Sequence, residues 1–209
     1  MQQTGTSGFI YRVADWMMKL AFVNLLWILF TILGFGVFGF YPAWIAMCRL
    51  MTLWSKGEEP PLFKTFWSVY RTVFLKANAI ALGIIIMFAV IFVNLNIVSL
   101  FGGFFFYFYS ISTFILLIVL ILWTFVFGLV SAEKYKVAFS KIAFVEPIKR
   151  LVLSPGKSIV LILAIGVIYL LNGFIPGLLP VYSVSLICWV MIFLFVGQDV
   201  TEEVTKKPQ

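Results

Sequence analysis

Three long stretches without a charged residue limit what this chain can fold into. They cover residues 20–48, 77–132 and 158–198 of a chain of 209 residues. A helix that crosses a bilayer needs about 20 consecutive apolar residues. The second and third stretches are each long enough for two such helices joined by a turn. The sequence therefore predicts one all-α domain, a polytopic integral membrane helical bundle with five or six membrane segments over residues 1–209.

The composition excludes a water-soluble domain of the ordinary kind. Only 11% of the residues are charged and 63% are hydrophobic, whereas soluble domains are about 25% charged. The lipid bilayer, rather than a larger protein core, is expected to cover the apolar surface. The formal net charge is +7, but the basic residues flank the apolar stretches, which indicates membrane topology and anionic lipid. We therefore expect the lipid bilayer as a partner, and no nucleic acid.

Turn-forming residues predict where the membrane segments end. Residues 94–96, 102–103 and 172–180 contain the Asn, Gly and Pro residues that interrupt the apolar stretches. A turn is also expected at 39–42, with Pro42 starting a short helix after it. The predicted segments are approximately 20–38, 42–54, 77–98, 107–130, 158–175 and 180–198.

The distribution of Lys and Arg predicts the orientation of the chain. Of the fifteen, two lie in 1–19, five in 49–76, six in 131–157 and two in the C-terminal tail. The positive-inside rule places 49–76, 131–157 and the C-terminus in the cytoplasm. Crossing, re-entry and a surface position all fit the length of segment 42–54. If it crosses, there are six segments and the N-terminus is cytoplasmic; if not, there are five and the N-terminus is outside. We favour six.

Two cytoplasmic segments, residues 62–76 and 133–150, combine basic and aromatic side chains. In the first, apolar residues recur at steps of three and four, which predicts an amphipathic helix. Such a helix either lies in the membrane interface against anionic lipid or docks a partner. The docking hypothesis names Phe63, Phe66, Trp67, Tyr70 and Arg71.

The motifs that suggest a cofactor fail on their context. Gly34, Gly36 and Gly39 match G-x-G-x-x-G, but they close an apolar run instead of following a strand. Close helix packing or a kink explains these glycines better. Histidine is absent, and no Asp, Glu, Lys or Arg lies within the predicted segments other than 42–54 away from their ends. The sequence therefore predicts no catalytic residue, no cofactor, no metal site and no enzyme.

The remaining polar and sulfur-containing residues have plain structural explanations. Interhelical hydrogen bonding or capping is expected of the asparagines, and a cluster lining a solute path is the alternative. These asparagines are Asn24, Asn78, Asn94, Asn96 and Asn172. Cys48 and Cys188 lie in apolar surroundings, which is typical of small buried residues. Neither has the spacing or partners of a disulfide or a metal site.

Several short motifs resemble the YesL-like family of uncharacterised bacterial membrane proteins. They are Asn24-Leu-Leu-Trp27, Tyr41-Pro42-Ala43, Lys56-Gly57-Glu58 and Phe63-x-x-Phe66-Trp67 leading to Asn78. Small residues often follow the family's proline, whereas Trp44 stands here, so tight packing is not expected at that turn. The resemblance implies a protein of the bacterial cytoplasmic membrane that is associated with carbohydrate uptake, commonly with ABC importers. It supplies no catalytic residue.

Three functions follow as hypotheses. The first is a non-enzymatic accessory or scaffold component of a carbohydrate importer, with importer subunits or another membrane protein as its partners. The second is a stand-alone passive carrier or channel for a neutral solute. The third is a membrane enzyme acting on a lipid-linked substrate. Only eight carboxylates are available to such an enzyme: Asp15, Glu58, Glu59, Glu133, Glu146, Asp199, Glu202 and Glu203.

Overall fold

The computed structural model describes residues 6–98, 102–133, 141–175, 177 and 179–196. Over these residues the chain forms seven α-helices and no strand, which confirms the predicted all-α fold. The helices are α1 (Thr6–Leu33), α2 (Val37–Ser55), α3 (Leu62–Val98), α4 (Gly103–Glu133), α5 (Lys141–Leu153), α6 (Pro155–Phe174) and α7 (Leu179–Phe195).

Four helices are long and apolar enough to cross a bilayer. They are α1 from Ile10 onward, α3, α4 and α6, while α7 is apolar but shorter. Much of their apolar surface is exposed, as expected where lipid rather than protein covers it. The helices therefore confirm a membrane protein built as a helical bundle.

The second helix, α2, forms the centre of this bundle. It packs against α1, α3, α4 and α7, and 14 of its 19 residues are buried. The Lys19 ammonium on α1 lies 3.4 Å from the carboxylate of Glu59, just beyond the end of α2. Hence α2 returns alongside α1 as far as the level of Lys19.

The turn between α1 and α2 lies earlier in the chain than the sequence predicted. The expected turn at 39–42 is wrong, because Pro42 lies inside α2, where it removes only one backbone hydrogen bond. The chain turns instead at 34–36, and Gly36 has a φ of 77°, which glycine adopts at little energetic cost. A Cβ on Gly34 would overlap the backbone of Gly39. The predicted close packing is confirmed for Gly34 and Gly39, whereas Gly36 serves the turn.

The third helix is about twice as long as α2. Its 37 residues rise about 55 Å, so the predicted segments 62–76 and 77–98 form one continuous helix. Arg49 and Leu53, near the end of α2, share a cavity with residues 64–69. Val37 and Phe40, near its start, share another with residues 81–88. Residues 64–88 of α3 therefore run antiparallel to α2, and near its C-terminal end α3 is joined to α4 by the hydrogen bond from Thr113 to Asn94.

This arrangement changes the interpretation of the segment 62–76. These residues are the first part of α3, with one face, which includes Phe66 and Tyr70, buried in the bundle and the other, which includes Trp67 and Arg71, exposed. Residues 33–38 and Arg71 line one groove, so the α1–α2 turn and the first half of α3 lie at one depth in the molecule.

The C-terminal half of α4 enters the bundle beside α2. The hydroxyl of Tyr41 donates to the backbone oxygen of Thr124 at 3.0 Å. Trp44 meets the ring of Phe125 edge-on at 5.2 Å, and its indole fills the place where Gly128 lacks a side chain. Because Trp44 is only 3% exposed, the expectation of loose packing after Pro42 is wrong.

The helices α6 and α7 form an antiparallel hairpin that packs on α1 and α2 through α7. At one end the hydroxyl of Ser183 donates to the side-chain oxygen of Asn172 at 2.8 Å. At the other end the Lys157 ammonium lies 5.9 Å from the ring centroid of Phe195. Several predicted features lie outside the described residues: 134–140 of the second basic–aromatic segment, 99–101 of an outer turn, and the tail carboxylates Asp199, Glu202 and Glu203.

Candidate docking surface

An aromatic cluster joins the start of α3 to the end of α1. The ring centroid of Phe30 lies 4.8 Å from that of Phe66 and 5.1 Å from that of Tyr70. Phe63 and Trp67 are each 5.8 Å from the same ring. The hydroxyl of Tyr70 also donates to the backbone oxygen of Phe30 at 3.2 Å. The start of α3 is therefore held by both ring packing and a hydrogen bond.

The structure divides the five predicted docking residues into two groups. Phe66 and Tyr70 are 0% and 5% exposed, so they face α1 and support the surface from beneath. Phe63 and Trp67 are 58% and 44% exposed, and Arg71 is exposed as well. Docking through this surface stays a prediction, and only Phe63, Trp67 and Arg71 are available for it.

Trp67 and Arg71 line a groove beside the α1–α2 turn. They are four residues apart, so they share one face of α3. The opposite wall consists of residues 33–38, and the groove has a volume of about 710 Å³. Trp67 stacks on Tyr70 with an interplanar angle of 18°, which fixes the aromatic wall. The groove can hold an apolar group and place a negative charge beside the Arg71 guanidinium.

The second basic–aromatic segment is built differently. The ring of Phe144 on α5 lies 5.1 Å from Phe127 and 6.2 Å from Trp123 on α4. The guanidinium of Arg150 donates two hydrogen bonds to the Glu133 carboxylate, at 3.1 and 2.7 Å. These two side chains are only 16% and 15% exposed. Glu133 therefore takes part in a structural ion pair that fastens α5 to the end of α4.

Asn24 is a buried polar residue that connects α1 to α7. Its side-chain amide donates to the backbone oxygen of Pro180 at 2.7 Å. Its side-chain oxygen accepts a hydrogen bond from the backbone nitrogen of Ser185 at 3.1 Å. Both groups of the amide thus bind the backbone of one neighbouring helix, as the prediction of interhelical hydrogen bonding required.

The other four asparagines form two kinds of hydrogen bond. Asn94 and Asn172 each accept a hydrogen bond from a hydroxyl on the neighbouring helix, at 3.0 and 2.8 Å. Asn78 and Asn96 instead donate to backbone oxygens four residues earlier on their own helix. The prediction is confirmed for the two interhelical pairs, and these pairs belong to different hairpins.

Cys48 on α2 and Cys188 on α7 are in contact. Their sulfur atoms are 3.2 Å apart, and neither residue is exposed. The prediction of buried cysteines is confirmed, and both are free thiols, but the contact between them was not predicted. The contact was missed because the two residues are 140 positions apart and meet only when α7 packs on α2.

Comparison with known proteins identifies the family. A family model described as "Protein of unknown function, DUF624" matches residues 20–95. The chain is also 31% identical to the uncharacterized protein YteU of Bacillus subtilis (strain 168) in an alignment 200 residues long. This alignment covers 90% of this chain and 84% of YteU. The chain belongs to the DUF624 family of YesL-like proteins.

Two other uncharacterized proteins of Bacillus subtilis (strain 168) match this chain over shorter regions. The uncharacterized protein YesV is 34% identical over 98 residues, 46% of this chain and 47% of YesV. The uncharacterized protein YesL is 40% identical over 78 residues, 37% of this chain and 36% of YesL. The predicted YesL-like family is therefore confirmed.

No solved structure matches the chain. The DUF624 match includes both walls of the groove but not α5, α6 or α7.

Proposed function

We propose that this DUF624 protein is a non-enzymatic accessory protein of the bacterial cytoplasmic membrane. It docks an apolar helix of a membrane partner in the groove between α3 and the α1–α2 turn. The observation that carries the proposal is the pair Trp67 and Arg71, exposed on one face of α3 above the buried rings of Phe66 and Tyr70.

The rigidity of this surface supports a docking role. Ring packing on Phe30 and the hydrogen bond of Tyr70 hold the aromatic wall in place. A side chain that is already ordered loses little conformational entropy when a partner binds. Trp and Arg are also enriched among the residues that dominate interface energies. A partner helix with an apolar face and one carboxylate opposite Arg71 complements the groove.

The proposed partner is a subunit of a carbohydrate importer of the ABC type. This part rests on the YesL-like resemblance and not on the groove. The basic segments 49–76 and 131–157 face the cytoplasm in this proposal, as the positive-inside rule predicts. In this orientation the groove beside Arg71 opens toward the cytoplasmic side of the membrane.

Affinity purification of the tagged protein from its native membrane, after mild crosslinking, tests the proposal. We expect importer subunits to be recovered with the wild type and lost with Trp67→Ala or Arg71→Glu. Trp189→Ala is the matched control for the first variant, because Trp189 is 42% exposed on α7. Lys149→Glu matches the charge change of the second on an exposed residue of α5.

Two results would contradict different parts of the proposal. If the wild type brings down no transporter subunit, the importer role is wrong. If the Trp67 and Arg71 variants recover the same subunits as the two controls, the groove is not the docking surface.

A further inference from the structure

Each of the two touching cysteines has a methionine three residues further along its helix. Cys48 and Met51 lie on α2, and Cys188 and Met191 lie on α7. A three-residue spacing places both side chains of a pair on one face of a helix. Because the cysteines meet across the α2–α7 contact, the two sulfur-bearing faces are turned toward each other.

All four residues lie inside the protein. Cys48, Cys188 and Met191 are 0% exposed, and Met51 is 1% exposed. The hydroxyl of Thr52, beside Met51, donates to the backbone oxygen of Cys48 at 2.7 Å, so its hydrogen is engaged within the helix. The centre of the bundle therefore presents two thiols and two thioethers in apolar surroundings.

Thiolates and thioethers are soft ligands, and this ligand class selects Cu(I) among the metal ions. Two metal–sulfur bonds of about 2.3 Å at a tetrahedral angle place their sulfur atoms about 3.8 Å apart. The observed separation of 3.2 Å is within about half an ångström of this requirement. A disulfide, at about 2.04 Å, would instead need the sulfur atoms to approach by more than an ångström.

We propose that Cys48, Met51, Cys188 and Met191 form a binding site for one Cu(I) ion. Each thiol loses its proton as it binds the metal. Both protons leave to the bulk solvent, and the ion with its two thiolates then carries a single negative charge. The site joins α2 to α7, so the bound ion also fastens the C-terminal hairpin to the centre of the bundle.

Transfer of Cu(I) from a chromophoric chelator tests the site in the full-length chain, purified in detergent under reducing, oxygen-free conditions. We expect the wild type to retain one Cu(I) ion per chain and the double variant Cys48→Ser, Cys188→Ser to retain none. Met51→Leu and Met191→Leu should each weaken binding at least about tenfold, the lower end of the loss seen when even second-shell partners of a metal are removed.

Met47→Leu is the matched control. Met47 is also 0% exposed on α2, but it is adjacent to Cys48 and so faces another side of the helix. The Met→Leu exchanges keep side-chain volume, so they give an answer even if the cysteine variants fail to fold. Equal weakening by Met47→Leu and Met51→Leu would overturn the proposal, as would a reduced wild type that retains no Cu(I).

Discussion

The two halves of α3 are both apolar, yet their surroundings are opposite. In the first half, Phe66, Tyr70 and Val73 are buried against neighbouring helices. In the second half, Phe92 and Val93 are 68% and 55% exposed. The contrast teaches that hydrophobicity in a membrane protein indicates which residues are buried away from water. It does not show whether those residues pack against other helices or face lipid, because lipid is as apolar as a leucine side chain.

The two regions are also held together differently, one by ring packing and the other by an interhelical hydrogen bond. The first half of α3 lies in a closely packed region with α1 and α2, where large rings fill the space between helices. The second half and the start of α4 form a hairpin whose helices share the hydrogen bond from Thr113 to Asn94. Substitutions in the first region should therefore be far more damaging than equal substitutions in the hairpin.

The largest expected effect is that of Phe66→Ala. This residue is 0% exposed, and truncating a buried Phe typically lowers the free energy of unfolding by about 3–5 kcal/mol. Phe92→Ala, on the same helix, should change it by less than about 0.5 kcal/mol, as is usual for surface substitutions. Denaturant unfolding in detergent measures both. Similar losses for the two variants would contradict the division of α3 into two regions.

Gly128→Ala should have the next largest effect. A Cβ at this position would overlap the indole of Trp44, and overpacking typically lowers stability by about 1–3 kcal/mol. The control is Gly83→Ala on α3, where a Cβ would meet no atom within 4 Å. That exchange should raise stability by up to about 1 kcal/mol through helix propensity. Thermal unfolding measures the Tm of both variants. If both values shift in the same direction, the packing of Trp44 on Gly128 is refuted.

Glu133→Gln should have a more moderate effect, at the contact between α4 and α5. The exchange removes the charge that accepts two hydrogen bonds from Arg150, and hydrogen bonds to charged groups contribute about 1.5–3 kcal/mol. The lower end is expected, because the Glu146 carboxylate also lies 3.9 Å from Arg150. Glu59→Gln, in an exposed pair with Lys19, should change stability by less than about 1 kcal/mol. Loss of equal size in both variants would show that burial of the Glu133 pair adds nothing.

The smallest effect should come from the hairpin itself. Asn94→Leu removes the acceptor, and Thr113→Val the donor, of a 3.0 Å hydrogen bond between α3 and α4. Interhelical hydrogen bonds in membranes contribute about 0.6 kcal/mol on average. A double-mutant cycle on unfolding in detergent should therefore give a coupling near that value. A coupling of several kcal/mol would mean that the hairpin is as firmly held as the rest of the bundle.

The sequence predicted the features that depend on local pattern. Charge-free stretches predicted apolar helices, and the spacing of Gly34 and Gly39 predicted close packing, because both follow from residue type and local spacing. The interhelical bonds of Asn24 could also be predicted in kind, since a buried amide needs partners. Its bonds to the backbone of α7 could not, because they depend on which helix lies beside it.

The features that were missed depend on neighbours distant in the sequence. The periodicity of residues 62–76 showed which face was aromatic, but it could not show that Phe30 of α1, rather than lipid, packs against Phe66. Local pattern predicts Pro42 as a helix start, because a proline inside a helix loses a hydrogen bond and crowds the preceding turn; its position inside the buried helix α2 depends on packing with other helices. The contact of Cys48 with Cys188 arises from the packing of α7, which no short motif encodes.

The unbroken length of α3 has a mechanical consequence. The helix rises about 55 Å, whereas the hydrocarbon layer of a bilayer is about 30 Å thick. It contains no proline, so its backbone hydrogen bonds run from the end that bears Trp67 to the end that bears Asn94. A continuous helix moves as a rod, and a sideways push at one end becomes a tilt at the other.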